Sequence, residues 1–523
     1  MKRRNFIKTA GVAASVPMLV NGMSVSALAK PLLFDTFNLE SDRVLVLIQL
    51  SGGNDGLNTV IPLDQYRNLF SVRPKIIIPE AKTLKIDHNI GLHPSLAGMK
   101  SLYDEGKLSI VQSVGYPNQN RSHFRSMEIW STASPAEEVW TTGWLGRYFD
   151  QQYPGYPENY PNAQHPDPFA LAIGYSVSET CQGIAANFSV AINDPVTMKP
   201  LPVGEDAGQY VSHFKEELAF VKLMVGQTND YSDRILSAVD HGTNLGVYPN
   251  TALAKALKNV AMLISGGLKT KVYVVSLGGF DTHSTQVLSN DPTKGKHADL
   301  LKTLSDAISA FQTDLKKLNL EKRVIGMTFS EFGRQIRANG SLGTDHGTAA
   351  PLFLFGSCVN AQVLGENPEI GTEVRPQAGV PMQHDFRDVY ASVLMDWFDL
   401  PEASVSKVIH SDFKYLPIVS KCESRTPVRN PRVIKGSSRV FNLFNFPNPF
   451  KDTTTISFTC AMERVRLSVI DMNGKEIALL KDEEMYEGTY QVTFDARHLP
   501  PGTYFYQLIT DSGQETQTMI KVN

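Results

Sequence analysis

The chain has 523 residues, of which 42% are hydrophobic and 20% are charged, and its net charge is -3 at pH 7. This length exceeds one ordinary compact domain and predicts one large domain with a smaller appendage. The near-balanced charge excludes a bulk electrostatic attraction to nucleic acid, and the composition is that of a soluble globular protein.

The chain begins with a predicted export signal at residues 1–29. A basic start, an apolar middle and small residues at Ala27 and Ala29 are typical of a cleavable signal peptide. Arg3 and Arg4, followed by NFIK, resemble a twin-arginine signal, which exports folded proteins; an ordinary secretory signal is the alternative. Both predict a protein that leaves the cytoplasm through the periplasm for the cell surface or the exterior. The rest of the sequence has no run of about 18 apolar residues, so we expect no transmembrane segment.

Apolar runs alternate with helical patterns across residues 30–422. Continuous β-branched and leucine runs predict strands at 43–50, 108–114, 271–277, 323–329 and 351–355. Apolar positions at three- and four-residue spacing predict helices at 95–105, 208–224, 251–266, 297–318 and 386–398. This alternation predicts a large, doubly wound, mostly parallel α/β sheet, in which ligands gather at the carboxyl ends of the strands.

The character of the sequence changes after residue 422. Residues 423–440 are polar and basic and contain two prolines, which predicts a linker. Short β-type runs follow in 441–523, with a hairpin signal at Asn473 and Gly474, and they predict a small antiparallel β-sandwich. Four widely spaced cysteines without a C-x-x-C pair indicate neither a zinc ribbon nor a disulfide framework, and leave one incidental disulfide open.

Two loops carry candidate groups for chemistry in the first part of this sheet. Asp55 follows the first strand in SGGNDGLN and can offer a hard oxygen ligand to a cation, or it can close an Asx turn. Ser122 in NQNRSHFR is a candidate nucleophile with Arg121, His123 and Arg125 as cationic groups for an anionic substrate. Ser122 can equally cap the helix that follows.

Later loops add candidate metal ligands. Asp281 and His283 follow the strand at 271–277 two residues apart, so an extended loop directs both to one side; a structural ion pair is the alternative. Glu331 stands at the end of the strand at 323–329, where a carboxylate ligand is expected. Asp345 and His346 lie between two glycines directly before PLFLF.

These blocks together resemble one known family. LIQLSGGNDGLNTVIP, SVGYPNQNRSHF, LGGFDTHSTQ, FSEFGRQIRANGSLGTDHGTAAPLFLFG and DFRDVYASVLMDWF occur in the order found in the domain of unknown function 1501 family, from about residue 40 to about residue 400. That family is grouped with the alkaline phosphatase and sulfatase superfamily. The resemblance implies a large α/β sheet, divalent metal ions (zinc, calcium, magnesium or manganese) and hydrolysis of a small anionic ester or a sulfated or phosphorylated glycan.

The resemblance also implies roles for individual residues. Asp55 corresponds to the first-strand ligand and Ser122 to the nucleophile, and Asp281 with His283 resembles the middle ligand pair at a shorter spacing. The superfamily's later Asp-His pair falls on Glu331 and Phe332.

His346 then corresponds to the last histidine, with Asp345 as its support. The superfamily typically binds two metal ions. Because Phe332 stands where a histidine ligand is expected, the resemblance implies that one of these two sites is weakened or absent. The C/S-x-P-x-R sequence of sulfatases is absent from the chain, which disfavours sulfatase activity of the usual kind. A non-catalytic secreted or surface binding protein that retains the fold is the alternative.

The tail resembles a type A C-terminal sorting domain of the type IX secretion system. NFPNPF at 445–450, the stretch at 465–475 and LPPGTYFYQL at 499–508 carry the resemblance. It implies transport across the outer membrane, so the expected partners are the twin-arginine and type IX export machineries. A carbohydrate-binding or structural β-module is the alternative.

Overall fold

The computed structural model describes residues 42–198, 215–422 apart from 411 and 421, and 443–522 apart from 461–462, 472–474, 487 and 511–512. Within the predicted signal peptide it describes only the paired strands β1 (Met18–Val20) and β2 (Met23–Val25). The predicted linker at 423–440 lies outside the described residues. The chain divides into two compact units, Met1–Glu423 and Ser424–Asn523.

The first unit is built on a nine-stranded sheet with the order β13-β7-β12-β11-β3-β10-β8-β9, and β14 pairs with β7. Its strands are β3 (Val44–Ser51), β7 (Leu108–Gly115), β8 (Ala170–Ile173), β9 (Ser189–Ile192), β10 (Val272–Gly278), β11 (Val324–Phe329), β12 (Ala350–Phe355), β13 (Gln362–Leu364) and β14 (His384–Asp385). A separate small sheet contains β4 (Val60–Pro62), β5 (Leu84–Lys85) and β6 (Ile90–Leu92). All five strands predicted from the sequence are confirmed.

One strand of the large sheet runs against its neighbours. β12 is antiparallel to both β7 and β11, whereas the other pairings in the described sheet are parallel. Ala350, the first residue of β12, therefore pairs with Val114 near the end of β7. The loop that leads into β12 consequently arrives at the same edge as the carboxyl ends of β3, β7, β10 and β11.

Helices cover both faces of this sheet. Their bounds are α1 (Gly56–Thr59), α2 (Tyr66–Val72), α3 (Ala97–Asp104), α4 (His123–Thr132), α5 (Trp144–Gln152), α6 (Lys215–His241), α7 (Ala252–Ser265), α8 (Lys296–Lys317), α9 (Phe386–Asp396) and α10 (Glu402–Val408). The helices predicted at 95–105, 251–266, 297–318 and 386–398 are present. Of the one predicted at 208–224, the described part is the start of α6, and residues 208–214 lie outside the described residues.

The alternation along β3 explains why its sequence is apolar without a break. Leu45 and Leu47 enter the core that contains Trp130 of α4 and Trp144 of α5. Val44, Val46 and Ile48 enter the opposite core, which contains buried side chains of α3, α7 and α8. A strand buried on both faces requires apolar residues at every position, and the predicted doubly wound α/β class is confirmed.

The second unit is an antiparallel β-sandwich. Its strands are β15 (Phe444–Phe446), β16 (Thr453–Cys460), β17 (Glu463–Ile470), β18 (Glu476–Met485), β19 (Gly488–Asp495), β20 (Gly502–Thr510) and β21 (Gly513–Lys521). They form a three-stranded sheet, β15-β16-β19, and a four-stranded sheet, β18-β17-β20-β21, around one apolar core. β17 and β18 pair as the predicted hairpin, although its turn at Asn473 and Gly474 lies outside the described residues.

Two of the four cysteines are joined, and the other two are free thiols. Cys358 and Cys422 form a disulfide with their Cα atoms 5.3 Å apart, the kind of bond that persists in an oxidising compartment. Cys181 and Cys460 are buried thiols. No helix in the described part of the chain is both long and apolar enough to cross a membrane.

Candidate metal centre

Four segments bring imidazole and carboxylate groups together at the carboxyl edge of the large sheet. His123 begins α4, and Asp281 and His283 follow β10. Glu331 follows β11. The fourth segment is the loop before β12, which carries Asp345 and His346 and reaches this edge because β12 is antiparallel.

Asp281 is the centre of this cluster. Its Oδ1 lies 3.2 Å from Nε2 of His283 and 3.3 Å from Nε2 of His346. Its Oδ2 lies 3.7 Å from Nε2 of His123. The two Nε2 atoms of His283 and His346 are themselves 2.9 Å apart. Ligand atoms of His123, Asp281 and His346 all lie within 4.8 Å of one another, close enough to share one metal ion.

The other ring nitrogen of each histidine is held by a hydrogen-bond acceptor. Nδ1 of His346 lies 2.8 Å from the carbonyl oxygen of Arg121, and Nδ1 of His283 lies 2.7 Å from Oδ1 of Asp345. Nδ1 of His123 lies 2.8 Å from Oε1 of Glu331. A carbonyl or carboxylate only accepts a hydrogen bond, so a proton on Nδ1 would satisfy each of these contacts and leave Nε2 of a neutral ring able to bind a cation. This is how carboxylates and carbonyls orient metal-binding histidines.

The surroundings of the cluster shift the pKa values of His346 and Asp281. Burial, together with the nearby Arg334 and His123, lowers the pKa of His346 despite its bonds to Arg121 and Asp281. Burial alone would raise the pKa of Asp281, but Arg334, His283 and His346 outweigh it and the pKa is lowered. These shifts favour a neutral His346 beside an ionised Asp281. Neutral imidazoles with one carboxylate are a donor set that suits zinc and related divalent ions.

The buried side chain of Arg334 fixes the position of Asp281. Its guanidinium is fully buried and lies 2.8 Å from Oδ1 of Asp281. It also donates to the carbonyl oxygens of Gly53 at 2.7 Å, Phe280 at 2.9 Å and Thr344 at 3.0 Å. The same side chain thus connects the loops after β3 and β10 with the loop before β12.

Phe332 forms an apolar wall on the other side of the cluster. Its ring centroid is 4.9 Å from that of His123 and 4.6 Å from that of His346. The position at which the superfamily pattern has a histidine therefore packs against two histidine rings and offers no ligand atom.

Asp55 lies in a separate buried network. Both of its oxygens are 3.0 Å from Nη1 of Arg73, and Oδ2 also accepts a hydrogen bond from Gln286 at 2.6 Å. The side chains of Asp55 and Arg73 are 1% and 0% exposed. Burial alone would raise the pKa of Asp55, but Arg73, His297 and Gln286 lower it below the ordinary value. Its carboxylate thus accepts hydrogen bonds from a buried guanidinium and from an amide.

Gln286 connects this buried network to the loops of the cluster. Its Oε1 accepts hydrogen bonds from Thr282 at 3.0 Å and Thr344 at 2.8 Å. Thr282 stands between Asp281 and His283, and Thr344 directly precedes Asp345. Asp55 is therefore connected to the loops of the cluster through Gln286, and its role as a metal ligand stays a prediction.

The predicted nucleophile and its arginines lie beside the cluster. Ser122 is exposed at the N-cap of α4, and its side chain makes no capping hydrogen bond. Arg121 donates to the carbonyl oxygens of Gln377 at 2.8 Å and His346 at 3.3 Å. Arg125 pairs with Glu128 at 2.9 Å and donates to the carbonyl oxygen of Ala136 at 3.0 Å. Both guanidinium groups are therefore engaged with this chain's own groups.

Two further histidines are buried elsewhere. Burial lowers the pKa of His93 to about 3 and that of His297 to about 4. His93 accepts a hydrogen bond from the backbone N–H of Ser95, and Nε2 of His297 lies 3.0 Å from Oδ1 of Asn54. Both are placed as neutral rings within the core.

His123 is the member of the cluster that the sequence analysis did not interpret as a ligand. Its position could have indicated a ligand, because His123 follows a predicted strand and begins a helix at the sheet edge where Asp281 and His346 also lie. Its flanking arginines suggested binding of an anion instead. Glu331 and Asp345 were predicted as ligands, and the structure places each against Nδ1 of a histidine.

A family model described as protein of unknown function (DUF1501) matches residues 42–397. The chain belongs to this family. A second model, the secretion system C-terminal sorting domain, matches residues 445–522. The DUF1501 protein therefore carries a sorting domain that indicates export and a cell-surface or secreted location. No curated protein matches the chain.

Solved structures give only distant matches. A protein in the alkaline phosphatase superfamily from Vibrio parahaemolyticus is 10% identical, with 86% of this chain and 78% of that chain covered and a TM-score of 0.32. The PsFucS1 sulfatase from Pseudoalteromonas sp. is 9% identical, with 87% and 84% covered and a TM-score of 0.31. PorZ, a type-IX secretion component of Porphyromonas gingivalis, is 17% identical over 16% of this chain and 12% of its own, with a TM-score of 0.13.

The buried Asp55–Arg73 pair yields a stability prediction. Arg73→Met leaves Asp55 as an unpaired buried charge, so we expect the free energy of unfolding to fall by about 3–5 kcal/mol in chemical denaturation. Lys302→Met is the matched control, because the exposed pair Lys302–Asp306, at 2.7 Å, should contribute less than about 1 kcal/mol. Equal effects of the two substitutions would contradict a structural role for Arg73.

Proposed function

We propose that this exported protein is a metal-dependent hydrolase of phosphate or sulfate esters. The observation that carries the proposal is the convergence of three imidazole Nε2 atoms on Asp281, with each Nδ1 held by an acceptor. His123, His283, His346 and Asp281 would hold the ion, and Glu331, Asp345 and the carbonyl group of Arg121 would orient the rings. We also assign the leader to twin-arginine export, followed by type IX transport to the surface.

The cluster is open to an incoming substrate. The side chains of Asp281 and His283 are 47% and 43% exposed, whereas their support Arg334 is fully buried. A divalent ion bound there supplies Lewis acidity that polarises an ester oxygen and lowers the pKa of a coordinated hydroxyl or water. The buried Arg334 fixes the position of Asp281, while the exposed ligand atoms leave room for a substrate. A catalytic site needs both features.

Ser122 is the proposed nucleophile. Its exposed hydroxyl lies one residue before His123, at the N-terminus of α4, where backbone N–H groups favour an anionic ester. Its oxygen would attack phosphorus or sulfur while the bond to the substrate's alcohol oxygen breaks, and the alcohol would leave with the proton. Water would then hydrolyse the seryl ester, which releases phosphate or sulfate and regenerates Ser122. Arg121 contacts carbonyl groups through Nη1, and Arg125 contacts its partners through Nη1 and Nη2, so either could bind an ester oxygen with its other N–H donors.

The buried position of Asp55 favours a second candidate function. With Asp55 paired to Arg73, the chain retains one ion site rather than the two of the superfamily pattern. A protein with this single site could bind an anionic ester at the surface without hydrolysing it. Turnover decides between the two functions.

Metal titration tests the site itself. We expect the metal-stripped protein to bind one Zn²⁺ or Mn²⁺ per chain in isothermal titration calorimetry, and His346→Ala to lose this binding. Asp345→Ala removes the acceptor that orients His283, so affinity should fall by about 10- to 100-fold. His88→Ala is the control, since His88 is an exposed histidine outside the cluster. The absence of binding by the unmodified protein would contradict the metal site.

Ser122→Ala tests the nucleophile. With aryl phosphate and aryl sulfate esters as substrates, we expect turnover to be lost while the metal content stays as in the unmodified protein. Ser101→Ala, at an exposed serine of α3, is the matched control and should keep turnover. If Ser122→Ala retains turnover, the serine mechanism is wrong. If the unmodified protein binds metal but hydrolyses neither ester, the binding function is favoured.

A further inference from the structure

A cavity of about 470 Å³ lies at the same edge of the sheet as the metal centre. Phe329 of β11, Gln49 of β3 and Ser276 of β10 line it in one row, because Gln49 pairs with both of the others. The loops after β10 and β11, which carry Asp281 and Glu331, begin within a few residues of this row.

One wall of the cavity continues from a residue of the metal centre. Met127 and Ser131 of α4 line the cavity. They follow His123 at four and eight residues along the helix, so the three side chains lie on one face. A substrate with its ester group at His123 would extend along this wall into the cavity.

The cavity lining combines apolar and hydroxylated residues, and none of its described residues is cationic. Ser176, Ser178 and Ser276 are its more accessible hydroxylated residues, and Gln49 contributes an amide. Glu179 is the charged side chain among the described lining residues. A second anionic group would meet this carboxylate without a compensating cation, so the lining favours an uncharged ligand that forms many hydrogen bonds.

Tyr175 adds an aromatic surface to the cavity lining. Its side chain is 90% exposed, which is unusual for a large ring in a domain with an extensive core. An aromatic face attracts the weakly positive C–H groups of an apolar ring face. Sugars present such a face together with hydroxyl groups at their edges, and both features match this lining.

A second cavity extends the first. It has a volume of about 230 Å³ and shares Ile173, Gly174 and Ser276 with the larger one. Asn193 and Asn259 add amide groups, and Lys255 in this part lies 3.3 Å from Asp194. The two cavities meet at these shared residues, the larger on the α4 side of the sheet and the smaller on the α7 side.

We propose that these cavities bind uncharged sugar rings of a glycan whose anionic ester lies at the metal centre. The identity of the ester rests on the proposed function, whereas sugar binding in the cavities rests on their own lining. The substrate class is therefore a glycan with neutral rings next to the esterified one, rather than a chain with a charge on every ring.

Saturation-transfer NMR on the metal-stripped, full-length protein tests this subsite apart from the metal centre. The probes are maltose, cellobiose and lactose as neutral sugars, and glucuronic acid as a charged one. We expect at least one neutral disaccharide to bind, with Tyr175→Ala weakening its binding at least ten-fold and Tyr175→Phe retaining it. Because Tyr175 is exposed, these substitutions should leave the thermal midpoint unchanged.

Tyr486→Ala is the matched control, since Tyr486 is a 74% exposed tyrosine in the second unit. It should bind the disaccharide as the unmodified protein does. The proposal is overturned if no neutral disaccharide binds, if glucuronic acid binds more tightly, if Tyr175→Ala binds normally, or if Tyr486→Ala is the variant that loses binding. Loss of metal binding in the separate titration would overturn the hydrolase function and leave this result intact.

Discussion

The site depends on the fixed orientation of three imidazole rings. Each Nδ1 faces an acceptor, and each Nε2 turns toward Asp281. The Nε2 atoms of His283 and His346 are 2.9 Å apart, a separation that two nitrogen ligands of one metal ion can have and that a shared proton also allows. A cation bound among these atoms would offset the charge of Asp281 and accept the lone pairs of the neutral rings.

The fold produces this orientation through one antiparallel strand, β12, and the buried guanidinium group of Arg334. Since β12 is antiparallel, the loop that carries Asp345 and His346 reaches the edge where β3, β10 and β11 end. Arg334 then joins the loops at this edge through their carbonyl groups and bonds directly to Asp281. Burial of this guanidinium leaves its donors no partner except these loops, which makes the base of the site rigid.

Much of the fold could be predicted from the sequence, because its signals are local. Unbroken apolar runs such as 43–50 indicate strands buried on both faces, and helical spacing gave α7, α8 and α9. The direction of β12 could not be predicted, because a short apolar run has the same pattern in either direction. The pairing of Cys358 with Cys422 likewise depends on distant parts of the chain meeting.

The candidate site was predicted as a set of residues but not as a set of contacts. Asp281, His283 and His346 were expected at strand ends, and they meet there. That Asp55 pairs with Arg73 could not be foreseen, since nothing in the spacing of the two residues indicates a buried contact. Glu331 and Asp345 have the same carboxylate chemistry whether they bind an ion or a histidine, so only the three-dimensional arrangement separates those roles.

Anomalous X-ray diffraction from crystals grown with Zn²⁺ tests the central claim most directly. The account predicts one strong peak about 2.0–2.2 Å from Nε2 of His123, His283 and His346 and from an oxygen of Asp281. Glu331 and Asp345 should remain bonded to Nδ1 of their histidines. A peak coordinated by Asp55, or no peak among the three histidines, would contradict it.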